Sequence, residues 1–113
     1  MRYVMLICND EKAMLDADDE SAMLAEYGKF SEEMGQRGVL QGGERLRPTT
    51  DATTVRVRDG EVLTSDGPFA ETKEQIGGLF LTDLPDLDEA IRLSALVPAA
   101  EYGSMEIRPI VEH

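Results

Sequence analysis

Two short runs, YVMLIC at Tyr3–Cys8 and GGLFL at Gly77–Leu81, do most to limit what this chain can become. Each is of strand length, and neither alternates apolar with polar residues. Successive strand side chains point to opposite faces of a sheet, so these two strands are apolar on both sides. Helices from one chain can cover one of those sides. The other meets water unless a second molecule covers it, because apolar exposure on that scale marks an interaction surface.

The remaining segments supply the elements around these strands. The acidic stretch Asp16–Glu20 leads into a helix predicted over Ser21–Arg37, since carboxylates suit the free N–H groups and dipole of a helix start. Met23, Tyr27, Phe30 and Met34 form its apolar stripe, and Gly38 is its expected stop. VLQGGERL predicts a strand interrupted at Gly42–Gly43 by a bulge or a close backbone approach, and 48–52 is a connection.

TTVRVRDGEVLTS predicts a hairpin: alternation, a two-residue Asp59–Gly60 turn, and alternation again. A type I′ turn there sets Arg58 against Glu61, Val57 against Val62 and Arg56 against Leu63. Ile76–Thr82 reads as a central strand. LPDLDEAIRLSALVP reads as a helix with Asp86 as N-cap and Glu89 three residues on, with Leu87, Ala90, Ile91 and Ala95 as its buried face and Pro98 limiting it. SMEIRPI closes the chain as a strand with Met105 and Ile107 on one face, and Pro109 places it at an edge or an end. The order predicts an α+β domain, residues 1–113, with an antiparallel sheet and both helices on one face.

Charge narrows the partners. Twenty-three acids against 11 bases leave a net charge of −12, which disfavours nucleic acid and anionic membrane. The lone Cys8 sits in an apolar run, where a thiol reads as a small core residue, and no internal disulfide can form. No secretory or membrane-spanning segment is recognised, and a cytoplasmic location is expected.

The string DGPFAETKE at Asp66–Glu74 is the most distinctive in the chain. Together with the YVMLI opening, the GGERL turn, the PDLDEAI helix and the EIRPI ending, it resembles the DGPF family, a branch of the broader YCII-related superfamily. The resemblance implies a ferredoxin-like fold that dimerises sheet against sheet into an α/β barrel. It also implies no established reaction, although some relatives are joined to or encoded beside alternative sigma factors. In the YCII branch proper a histidine–aspartate pair has been proposed as a catalytic centre. Here the one histidine is the terminal His113, so histidine base chemistry does not carry over.

Candidate site residues follow from charge and position. Asp66, ahead of Gly67–Pro68, reads either as an Asx-type turn or as a general base or ligand acceptor at a cavity mouth, with Glu71 the second candidate catalytic carboxylate. Glu71 and Lys73 share a face of an extended segment, where Lys73 offers a positive charge to an anionic ligand. Arg45, beside Gly43 and the irregular glycine step, is a candidate carboxylate or phosphate clamp, and Tyr27 can present a hydroxyl to the same space. Phe69 is expected to anchor the loop in the core. No metal-ligand set, calcium loop or cofactor motif is recognised. Two functions are open: a homodimer binding or transforming a small anionic molecule, and a non-catalytic regulatory or protein-interaction module.

Overall fold

The computed structural model describes residues 1–12 and 20–112, and for residues 20–24 the backbone alone. The acids at 16–19, the Met23 side chain and His113 lie outside that description. Strands β1 (Arg2–Asn9), β2 (Leu40–Arg45), β5 (Gln75–Asp83) and β6 (Ser104–Pro109) form one antiparallel sheet in the order β2-β5-β1-β6. The two doubly apolar runs are its central strands. Strands β3 (Thr53–Arg58) and β4 (Glu61–Asp66) form a separate two-stranded sheet. With helices α1 (Glu20–Gln36), α2 (Leu87–Ser94) and the short α3 (Ala99–Tyr102), the arrangement is α+β and compatible with a ferredoxin-like fold.

One face of the sheet carries the core. Tyr3, Met5 and Ile7 of β1 pair across the ladder with Thr82, Phe80 and Gly78 of β5, so the five side chains point to the same side and Gly78 adds none beside Ile7. There they meet Phe30 and Met34 of α1, Ala90 and Leu93 of α2, and Val97 and Ala99 beyond it. Phe30 and Phe80 pack as tilted rings with centroids 5.2 Å apart. The buried Thr82 hydroxyl donates to the Tyr3 carbonyl at 3.1 Å, so its burial leaves no unpaired donor.

Several elements follow local rules. In the hairpin, Arg58 faces Glu61, Val57 faces Val62 and Arg56 faces Leu63, and Asp59 and Gly60 turn at φ 51° and 80°, the paired positive values of a type I′ turn. The β2–β5 ladder slips register between Leu40 and Gly42, where the glycine step was expected to disturb it. Asp86 caps α2 by accepting the Glu89 N–H at 2.9 Å. The return half of a capping box is missing because the Glu89 carboxylate pairs with Arg92 instead.

Two expectations need correction. The buried face of α2 is not Leu87, Ala90, Ile91 and Ala95: Leu87, Ile91 and Ala95 are exposed, while Ala90, Leu93, Ser94 and then Val97 are buried. The chain offers two overlapping apolar stripes that share Ala90, and packing against the core buries the one that runs on through Leu93 and Val97. Phe69 does not anchor the loop, since its ring is 80% exposed. Backbone and polar side-chain contacts hold that loop instead.

Candidate functional site

The antiparallel register brings Asn9 at the end of β1 beside Gln75 at the start of β5. The residues just beyond each strand therefore meet at one end of the sheet. There Asp10, Glu11 and Lys12 face the DGPFAETKE loop across an open cleft of about 350 Å³, with Thr49 and Thr50 completing its rim. Gly67, Pro68, Glu71, Thr72, Lys73 and Gln75 form the loop wall.

The walls are tied together by polar contacts. The Glu11 carboxylate accepts the Thr49 N–H at 2.9 Å and the Thr49 hydroxyl at 2.6 Å, fixing the short 3-10 turn Thr49–Asp51 to the end of β1. At the hairpin base, the Gly67 N–H donates to Ala52 O at 2.7 Å and the Thr54 hydroxyl to Gly67 O at 2.8 Å. Gly67 itself sits at φ +94°, which a residue with a Cβ adopts only with strain. Further along, Gln75 Nε2 donates to Ala70 O at 2.9 Å, the Thr72 hydroxyl donates to Glu74 O at 2.6 Å, and the Ser104 hydroxyl donates to Glu74 Oε1 at 2.7 Å.

The motif is thus divided in its work. Gly67, Thr72, Glu74 and Gln75 build the loop. Glu71 and Lys73 line the cleft and make no ion pair with each other among the described residues. Asp66 ends β4 exposed, and its carboxylate makes no hydrogen bond among the described residues, so the turn is not an Asx turn. The Asp10 side chain accepts the Lys12 backbone N–H at 3.1 Å, and Lys12 and Lys73 are the basic residues among those that line the cleft.

The other sequence candidates lie elsewhere. Arg45 is exposed at the end of β2 and is not among the cleft-lining residues. Gly43 pairs with Phe80, and a Cβ there would stand 2.8 Å from the Phe80 ring, so the glycine makes room for core packing. Tyr27 packs half-buried against the core on α1, where burial and then a hydrogen bond with Tyr102 push its phenol above the ordinary tyrosine range. Cys8 lies partly buried on the side of β1 away from the helices; burial, then the Glu106 and Glu74 carboxylates, push its thiol above the ordinary cysteine range. Among the described residues no three His, Cys, Asp or Glu side chains are grouped to hold a metal ion. Sequence reasoning missed Glu11, Lys12 and Thr49. The signal that finds them is the pairing of β1 with β5, extended past the strand ends.

An antiparallel α+β sheet with helices on one face, and a polar cleft at the sheet end, define the class of protein. The chain matches the YCII-related domain over residues 1–113 and belongs to that family. It is also 36% identical over 114 residues to "Uncharacterized protein R00369" of Rhizobium meliloti (strain 1021), across 97% of this chain and 92% of that protein.

Proposed function

We propose that this protein is a DGPF-branch member of the family that binds a small polar organic molecule carrying an anionic group, in the cleft between the end of β1 and the motif loop. The observation that carries the reading is one cleft of about 350 Å³ lined by Lys12 and Lys73 beside the carboxylates of Asp10, Glu11 and Glu71, a size suited to a small ligand. The two ammonium groups suit a carboxylate or phosphate, and the Glu71 carboxylate suits a hydroxyl or amine donor on the same molecule. Asp66 and Glu71 are exposed, so the reading is one of binding rather than proton transfer.

The working unit in this reading is a cytoplasmic homodimer in which two sheets face each other as a ferredoxin-like α/β barrel. Support comes from the side of the sheet opposite the helices, where Val4, Leu6, Leu79 and Leu81 pair across the ladder and are only partly covered. No described helix is long and apolar enough to cross a membrane.

Amide chemical-shift mapping tests the ligand reading, with malate and inorganic phosphate as probes. Shifts clustering at Lys12, Thr49, Gly67, Thr72 and Lys73 are the expected result. Shifts confined to other basic residues, such as Arg56 and Arg58, or no shifts at all, would overturn it.

A further inference from the structure

The hairpin Thr53–Asp66 belongs to neither the core nor the cleft wall. Among the described residues its two strands make ladder pairs with each other and with no other strand, and a lone two-stranded hairpin is marginally stable in water. Cross-strand partners share a face, so Val55, Val57, Val62 and Thr64 form one side while Arg56, Arg58, Glu61 and Leu63 form the other. The valine side is bare: Val55 and Val57 are each 59% exposed and Val62 is 68% exposed. Alternation this regular builds a face for burial, yet nothing described in the chain buries it.

Size points the same way. The radius of gyration is 15.9 Å, where a compact chain of this length has about 13 Å. A compact protein of 12.5 kDa exposes about 6,200 Å². This chain exposes 7894 Å², a surplus of about 1,700 Å² by that measure. A standard interface takes roughly 800 Å² from each partner, so the surplus is large enough to supply one.

We infer that the hairpin is a dimerisation arm whose valine face docks on a second copy of this chain. The inference rests on the homodimer proposed above and adds the surface that closes it. A second copy is the fitting occupant because the chain leaves the arm's valine face exposed and the far side of the sheet, Val4, Leu6, Leu79 and Leu81, only partly covered. Exchange under a two-fold axis covers both chains' arms at once and closes the assembly, whereas a one-way contact leaves an arm bare. A net charge of −12 weighs against an anionic lipid surface as the occupant. The arginines on the reverse face keep that side soluble and discourage edge-to-edge association.

Sedimentation equilibrium on two double variants tests this. Val57→Lys/Val62→Glu destroys the valine face but keeps an attractive cross-strand pair, so the hairpin itself persists. It is expected to weaken dimerisation by about tenfold or more, with the far-UV spectrum and the phosphate-induced shifts of the cleft amides unchanged. Arg56→Thr/Leu63→Thr, on the opposite face, is expected to leave the dimer constant within about twofold. A valine-face variant that dimerises like wild type, or an equal loss from both variants, overturns the arm and leaves the dimer standing. A wild-type chain that stays monomeric at micromolar concentration overturns arm and dimer together, while the cleft titration still reports separately on ligand binding.

Discussion

Glu11 holds Thr49 by two hydrogen bonds at once, the backbone N–H at 2.9 Å and the hydroxyl at 2.6 Å, across 38 residues of sequence. A charged acceptor makes such bonds stronger than neutral pairs, and the site is partly buried. The contact joins the end of a central strand to the turn that leads into the hairpin. Glu11→Ala is expected to lose about 1.5–3 kcal/mol in urea denaturation. Thr49→Val should lose less, because the backbone N–H bond survives. A loss under about 0.5 kcal/mol for Glu11→Ala would show that water replaces the contact without cost.

The motif loop separates backbone from side-chain roles. Gly67 sits at φ +94° with open space where a Cβ would go, so Gly67→Ala is expected to cost about 1–2 kcal/mol from conformation alone. Asp66→Asn should stay within about 0.5 kcal/mol of wild type, since its carboxylate makes no hydrogen bond among the described residues. Gly103 is the more demanding glycine. A Cβ there would overlap the Cys8 carbonyl oxygen on β1, so Gly103→Ala must displace backbone and should cost about 3 kcal/mol or more. Chemical denaturation ranks the three, and the reverse order for Gly67 and Gly103 would contradict the packing.

At the start of α2, Asp86 accepts the Glu89 N–H at 2.9 Å. Asp86→Ala is expected to destabilise by about 1 kcal/mol, and Asp86→Ser to restore most of that. Equal losses for both variants would mean that the cap hydrogen bond is not what the aspartate contributes.

Tyr27 gives the protein an alkaline dependence. Burial, and then the hydrogen bond with Tyr102, raise its phenol above the unfolded value near 10. Above that pH the unfolded chain gives up a proton that the folded chain keeps, so stability is full below it and falls as pH rises toward the folded value. Denaturation midpoints should therefore drop more steeply with pH above 10 in wild type than in Tyr27→Phe. Ultraviolet titration of phenolate should also lose its last step in that variant. Identical slopes would contradict the buried phenol.

How much of this was legible in the sequence depended on the range of the interaction. The hairpin register, with Val57 opposite Val62, followed from a two-residue turn and period-two alternation, both local. The Asp86 cap and the Gly38 stop, at φ +72°, were local as well. The face of α2 was misread because Leu87–Ile91 and Ala90–Leu93–Val97 are both apolar at helical spacing, and only tertiary contact chooses between them. Phe69 was misplaced because an aromatic in a loop does not announce which way the loop turns. Half of the cleft was visible as Glu71 and Lys73. The other half, Glu11, Lys12 and Thr49, comes from strand pairing between residues 66 apart in the chain, Asn9 and Gln75, and from a hydrogen bond across 38 residues.

The central claim is that Lys12 and Lys73 make the cleft an anion site. The most direct measurement is the affinity for malate at low ionic strength, read from amide shifts, in wild type and in Lys12→Gln/Lys73→Gln, with Lys29→Gln on α1 as a control. The account predicts a loss of about tenfold or more in the double variant, and a control within about twofold of wild type. Unchanged affinity in the double variant, or an equal loss in the control, would contradict it.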